Sequence, residues 1–277
     1  MTAVEAVRKE RNTDPMGIIG GKIGSRLLHS ICPTGDAGYL TGKAYKDRSK
    51  IEVLFGSGIW DELASKVVID FGCGQGEEAI DIAKHGAQKV IGLDLRERLL
   101  VQARLMAERA GVSERCIFKT KTDDKADVIM SLDAFEHFND PAEILRIMRG
   151  LLKDEGRVIA MFGPTWFHPL GGHQFSVFPW AHLIFKEHAL ISWRSNFKSD
   201  NATRFNEVEG GLNQMTIRRF ERIVKASDFQ FESFEAVPIR RTRLLHNRFT
   251  REFFSSMVHC RLILRNNLQD HTHNHSV

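Results

Sequence analysis

The segment Asp70-Phe71-Gly72-Cys73-Gly74-Gln75-Gly76 sets three glycines at alternate positions behind an acidic residue. Without side chains there, a ligand can lie against the backbone, and a following helix would turn its positive end toward it. Asp94 closes the next apolar run, where a carboxylate can accept two hydrogen bonds from a ribose diol. Further on, Asp133-x-x-Glu136-His137 combines two carboxylates with an imidazole, groups able to move a proton or hold a cation. The stretch from Gly163 to His182 then carries His168, His173 and His182 among Trp166, Phe175, Phe178 and Trp180.

The elements that must position these residues are legible in the hydrophobic pattern. From Lys66 to Phe162, short β-branched runs alternate with longer helical stretches, which predicts βαβ units and a parallel sheet. Strands are expected at 67–70, 89–95, 116–119, 127–132 and 156–162. Helices are expected at 77–85, closed by Gly86, at 97–110, stopped by Gly111, and at 141–152. Asp140 and Pro141 read as N-cap and first helical residue of the last of these. After 163 the rhythm breaks, and it resumes with a helix over 216–227 and closing strands near 229–237 and 253–263. Five strands and two closing ones give a Rossmann-like, seven-stranded, mostly parallel α/β sheet with helices on both faces. Around it we expect an N-terminal helical extension (1–60, with Tyr39 and Tyr45), a core (61–163), a lid inserted after strand five (164–215), closing elements (216–270) and a disordered tail (271–277). His271, His273 and His275 in that tail could bind nickel weakly, although a frayed terminus is the default.

Asp70 separates two candidate ligands for the glycine loop. Gly74, Gly76 and Ala79 also satisfy a dinucleotide spacing, but a carboxylate just before the loop would repel a pyrophosphate. It suits a ligand bearing an ammonium, and S-adenosylmethionine has an ammonium, a sulfonium and no phosphate. A nicotinamide-dependent oxidoreductase on the same sheet is therefore the disfavoured alternative, and a non-catalytic module that only binds S-adenosylmethionine is another.

At VVIDFGCGQG (67–76), VIGLDL (90–95), ADVIMSLDAFEHFNDP (126–141) and LLKDEGRVI (151–159) the chain resembles the class I S-adenosylmethionine-dependent methyltransferases of the small-molecule branch. The resemblance covers roughly 60–163 and implies that Asp70, Gly72, Gly74 and Gly76 line the methionine end of the cofactor. It implies Asp94 and Leu95 at the ribose, Asp123 or Asp124 near the adenine, and Ser131 and Leu132 beside the reactive end, with S-adenosylhomocysteine as product. Asp133-x-x-Glu136-His137 is similar to the E-x-x-E-H set of ubiquinone-type O-methyltransferases, which is associated with a divalent cation. The shorter Asp at its first position weakens the case for a metal here, and the metal assignment stays open. His137 as general base and Glu136 touching cofactor or substrate are the catalytic candidates. His173, following Gly171-Gly172, is a third, able to swing from a flexible joint. For the lid aromatics, walling a substrate and packing the lid itself stay equally open. The expected reaction is methyl transfer to a small, apolar or aromatic acceptor, with oxygen favoured over nitrogen or carbon.

Composition bounds the partners. With 42% apolar and 27% charged residues the chain has the makings of a core, and no apolar run or N-terminal h-region suggests a membrane span or secretory leader. Four scattered cysteines argue against a disulfide scaffold and for a cytoplasmic setting. Residues 217–265 hold eleven Lys/Arg against five acids, so this segment carries +6 of a net +4. The interleaved acids and the lack of a stacking motif favour a solvated face over nucleic acid. Peripheral contact with an anionic membrane is the other use of that charge, and the spacing of His168, His173 and His182 fits no familiar zinc site.

Overall fold

A computed structural model of the protein describes residues 17–35 and 48–265. The element order is α1 (Gly21–Ile31), α2 (Lys50–Phe55), α3 (Ile59–Leu63), β1 (Val67–Phe71), α4 (Glu77–Lys84), β2 (Lys89–Leu93), α5 (Glu97–Arg109), β3 (Cys116–Lys119), β4 (Ala126–Leu132), α6 (Pro141–Leu151) and β5 (Leu152–Phe162). Beyond β5 come α7 (Ala181–Ile184), α8 (Glu187–Arg194), α9 (Ile217–Lys225), β6 (Phe229–Pro238), α10 (Arg251–Phe254) and β7 (Ser255–Leu264), with short 3-10 turns between them. The seven strands form one sheet in the order β3-β2-β1-β4-β5-β7-β6. The first five are parallel, and β7 runs antiparallel between β5 and β6. Strand order reverses between β1 and β4, so the crevice at their C-terminal ends is the natural ligand site of an open α/β sheet.

Alternation along the strands divides the core. Val68 and Val90 face the layer of α4 and α5, while Ile69 and Ile91 face that of α6 and α9. Asp140 caps α6 by accepting from the Glu143 amide at 3.1 Å, with Pro141 in the first turn, as the sequence implied. The expected boundaries move by up to four residues. Strand β5 begins at Leu152 and not at Gly156, and residues 251–254 are a helical turn before β7 rather than part of it. The former extension is bounded by several elements: α2 and α3 pack on the sheet, and α1 does not.

Instead α1 joins the insertion after β5 in a third core. Leu28, Phe175, Phe185, Ala189, Leu190, Trp193 and Phe205 are buried together there. Gly24 lets the helices close up, since a Cβ on it would lie 3.0 Å from that of Ala189. The Trp193 indole donates to the Cys32 carbonyl at 3.0 Å, and Ile19 bridges to Phe185. The lid thus has a core of its own. Tyr39, Tyr45 and the tail histidines lie outside the described residues.

Phe135 ties the site to the sheet: it is fully buried, with ring centroids 5.2 Å from Phe220 and 5.3 Å from Phe138. Phe135→Ala is expected to cost about 3–5 kcal/mol, measured by denaturant unfolding, since the cavity cannot collapse between sheet and α9.

Candidate functional site

The glycine loop leaves β1 with Gly72, Gly74 and Gly76 at φ of 88°, 53° and 81°, conformations that side chains resist. The Gly72 and Cys73 amides donate to the Leu93 carbonyl at 2.8 and 3.0 Å, which holds the loop against β2. At Gly76 a Cβ would strike the Phe118 ring at 2.5 Å, whereas at Gly74 it would meet only open space. That open space is the cradle. Behind it, Asp70 is 3% exposed and its Oδ2 has no hydrogen-bond partner. Burial, with Glu78 nearby, pushes its carboxyl up to about 8.

Lys50, which no sequence signal marked, enters this acidic crevice from the first turn of α2. Its Nζ lies 2.9 Å from Glu78 Oε1 and 2.8 Å from Asp133 Oδ2. Burial works against its charge, but Glu78 and Asp133 outweigh it and hold the ammonium above its ordinary range. Only the start of α2 was there to be read: Ser49 caps it by accepting from the Glu52 amide, and its hydroxyl donates to Asp81 at 2.5 Å.

Asp94 is buried at the end of β2, and both its oxygens are engaged. Oδ2 accepts from the Gly74 amide at 3.0 Å and from Arg96 Nη2 at 2.8 Å, and Oδ1 from Arg96 N and Nε, each at 2.9 Å. Burial opposes its charge, and Arg96 more than offsets this, so Asp94 sits below the usual carboxylate range. Leu95 is exposed, as is Asp123, while Asp124 is tied to Lys89 at 3.2 Å and to Thr122 at 3.0 Å. Ser131 is buried and donates to the Phe71 carbonyl at 3.0 Å, a bond that braces the ends of β1 and β4, with Leu132 buried next to it.

The trio after β4 diverges. Asp133, at φ 49°, turns to Lys50; Glu136 accepts from the Gly163 amide at 3.1 Å; and His137 Nδ1 meets the Gly211 carbonyl at 2.7 Å. A carbonyl only accepts, so Nδ1 carries the proton and Nε2 is left as the basic nitrogen. Glu136 Oε2 is buried without a partner, and burial beside Asp133 pushes that carboxyl up to about 8. No three His, Cys, Asp or Glu side chains converge on a cation position among the described residues.

In the lid the histidines part company. His168 Nδ1 accepts from the Leu170 amide at 2.9 Å, and His182 Nε2 pairs with the Trp166 carbonyl at 2.6 Å, so both brace the lid. Phe175 and Phe185 are packed into its core rather than offered to a ligand. The Gly171-Gly172 joint, expected to be flexible, is closely packed. A Cβ would come within 2.2 Å of the Thr165 carbonyl at one and 2.5 Å of the His182 side chain at the other. His173 is therefore held in place, its ring 5.2 Å from that of His137 and its Nε2 buried without a partner. Burial, with His137 beside it, lowers its pKa to about 3 and keeps it neutral. Across the mouth, Glu209 of the lid pairs with Arg98 of α5.

Residues 63–162 match the methyltransferase-domain family. This region thus carries the sequence pattern of a methyltransferase domain. A ribosomal protein L11 methyltransferase of Serratia proteamaculans is 34% identical over 102 residues, 37% of this chain and 35% of that one. A ubiquinone biosynthesis O-methyltransferase of Neisseria meningitidis is 36% identical over 107 residues, 35% of this chain and 44% of that one. The chain thus spans less than half the length of these relatives. An Aquifex aeolicus SAM-dependent methyltransferase structure superposes with a TM-score of 0.48 at 12% identity, over 80% of this chain and 96% of that one.

The methyltransferase domain's own residues fit its methyl donor. An orphaned buried carboxylate at Asp70 and the open cradle at Gly74 suit the ammonium-bearing end of S-adenosylmethionine. At Asp94, where a ribose is expected, Arg96 already holds both carboxylate oxygens through a half-exposed side chain. A ribose would have to displace that guanidinium. Arg96→Ala is accordingly expected to tighten S-adenosylhomocysteine binding about threefold to tenfold by calorimetry, since charge-assisted bonds worth roughly 1.5–3 kcal/mol no longer compete and solvent discounts part of that.

Proposed function

We propose that the chain transfers a methyl group from S-adenosylmethionine to a small, apolar or aromatic acceptor, with oxygen the favoured accepting atom. The reading rests first on Asp70: its buried, unpartnered carboxyl can ionise against a ligand's ammonium, whereas the pyrophosphate of a nicotinamide cofactor would oppose that ionisation. S-Adenosylmethionine supplies a methyl group already activated on a sulfonium. The protein then has to align the acceptor within about 3–3.5 Å and exclude water.

In this reading Asp70 takes the ammonium, Gly72, Gly74 and Gly76 let it approach, and Asp94 takes the ribose hydroxyls. Asp123, exposed beyond β3, is placed for the adenine better than Asp124, whose carboxylate Lys89 and Thr122 already occupy. Leu95 borders the nucleoside, and Ser131 and Leu132 set the strand end beneath the reacting carbon. His137 Nε2 receives the proton of an acceptor hydroxyl, a step that a nitrogen or carbon acceptor would not need in the same form. Neutral His173 packs against His137 and fixes its ring, and Glu136 joins the start of the lid to the end of β4. The acceptor fits between the ends of β4, β5 and β7, where Phe55 faces His259 at 5.4 Å and Met257 lies alongside. Four buried free cysteines suit a reducing, cytoplasmic setting. Among the described residues no helix is long and apolar enough to cross a membrane.

Calorimetry with S-adenosylhomocysteine and with NADH tests the assignment. Binding of the first alone, lost in Asp94→Ala, is expected; binding of NADH alone would overturn it. The pH dependence is equally specific. Asp70 is mostly protonated at neutral pH in the free protein, so its raised pKa favours the fold at low pH and that contribution is lost as pH climbs through about 8. Taking up an ammonium ionises it, so S-adenosylhomocysteine affinity is expected to rise from pH 6 and level off above about 8, by at most about tenfold per unit for one proton released. Asp70→Asn should flatten that profile. With a hydroxyl acceptor in hand, His137→Ala is expected to lower kcat by about 10²–10⁴ and leave S-adenosylhomocysteine affinity unchanged, and equal turnover would exclude the base.

A further inference from the structure

Between β6 and β7 the chain makes an excursion that the glycine-loop site does not use. Its tip, residues 240–249, reads Arg-Arg-Thr-Arg-Leu-Leu-His-Asn-Arg-Phe, with four arginines and no acid. Arg240, Arg241, Arg243 and Arg248 are all exposed. Set among them are large apolar side chains left exposed among the described residues: Leu244 is 100% exposed, Phe249 75% and Leu245 56%. Arg248 lies over the Phe249 ring at 5.5 Å.

The base of this excursion is fixed. Glu252 is buried and accepts from the Ile217 and Arg218 amides at 3.0 and 2.8 Å, so it caps the start of α9. Arg251 pairs with Glu221 at 2.6 Å, His246 with the Ser255 hydroxyl at 3.0 Å, and the Ile239 amide with the Phe254 carbonyl at 2.8 Å. Phe253 rests on Phe167 of the lid, ring centroids 5.1 Å apart. A rigid base under an exposed tip of leucine, phenylalanine and arginine is costly in water unless the tip has another medium to enter.

We propose that residues 240–249 are an interfacial anchor that seats the protein on an anionic lipid surface. Leu244, Leu245 and Phe249 would enter the headgroup boundary while the arginines pair with lipid phosphates. Charge complementarity selects this occupant. A second copy of the chain would set four arginines against four, and nucleic acid would pair with the arginines but leave both leucines in water. Phe175 and Phe185 of the lid cannot serve the same purpose, because both are buried.

The test is sedimentation of the full chain with phosphatidylcholine vesicles containing roughly a third phosphatidylglycerol, against pure phosphatidylcholine, at low salt and at about 0.5 M. Binding to the anionic vesicles alone, weakened by salt, is expected. Arg240→Gln/Arg241→Gln/Arg243→Gln should weaken it by about a hundredfold, roughly fivefold for each charge lost. Leu244→Ser/Phe249→Ser keeps the net charge and should weaken it by at least about tenfold through lost apolar burial. These side chains are exposed, so unchanged thermal unfolding will show that both variants fold. No sedimentation, equal binding to uncharged vesicles, or binding indifferent to Leu244→Ser/Phe249→Ser would overturn the proposal. So would tighter binding to a single-stranded RNA that survives the same apolar substitutions.

Discussion

At the end of β1 the Asp70 carboxyl lies where water is almost excluded, with one oxygen unpartnered and Glu78 close by. A buried polar group left in this state costs stability, on the order of 1–3 kcal/mol, and a charged one costs more. The site's other groups are arranged as responses to that cost. Lys50 reaches in from α2 to place an ammonium between Glu78 and Asp133, and its field reaches Asp70 and Glu136 as well. Protonation does the rest, since burial pushes both Asp70 and Glu136 up to about 8. The crevice is thereby prepared for one more positive group. Its strain is tolerated because β1 and β4 are locked together by register and by Ser131, whose hydroxyl bonds the Phe71 carbonyl.

The insertion after β5 is built in two parts of different stiffness. Its interior is a dry core shared with α1, and its base is sewn to the β4 loop, where Asn213 Nδ2 donates to the Phe135 and Phe138 carbonyls at 2.6 and 2.7 Å. Its outer rim meets α5 through Arg98 and Glu209, both more than half exposed. An exposed pair of that kind contributes only about 0–1 kcal/mol. Opening at the rim is therefore cheap, while shearing at the base is not. His137 and His173 sit on the stiff side of that division, which is where a base and its neighbour should sit if their geometry is to persist through turnover.

How far the sequence revealed this depends on the range of the interactions. The sheet, the glycine loop and the cap at Asp140 were legible because they rest on periodicity and turn chemistry between near neighbours. The two closing strands were found to within two residues, but β5 starts four residues earlier than expected, at Leu152, which pairs with Ala126 across a bulge that no local pattern announces. Lys50 escaped notice because its partners Glu78 and Asp133 are brought to it only by the fold. Arg96 stood next to Asp94 in plain sight, but its side chain doubles back on that carboxylate, a conformation that composition cannot specify. The Gly171-Gly172 pair misled for a similar reason: glycine permits both flexibility and close approach, and only its neighbours, Thr165 and His182, decide between them.

The region matched by the methyltransferase-domain family contains the glycine loop, Asp94 and the Asp133–His137 loop. The residues that face those groups lie outside it: Lys50 before, and His173, Gly211, Met257 and His259 after. Relatives named as differently as a ribosomal protein L11 methyltransferase and a ubiquinone biosynthesis O-methyltransferase match at nearly equal identity, over 102 and 107 residues. In the proposed function the matched region would handle the methyl donor, whose shape is constant. Acceptor choice is left to segments that need only hold their ends on a common sheet, and those are free to diverge. In this chain those segments bring a histidine-rich lid with its own core and a basic, apolar-tipped excursion beside it, joined through Phe167 and Phe253. If the chain acts as proposed, the residues that select its acceptor are to be sought in 164–260, beyond the matched region.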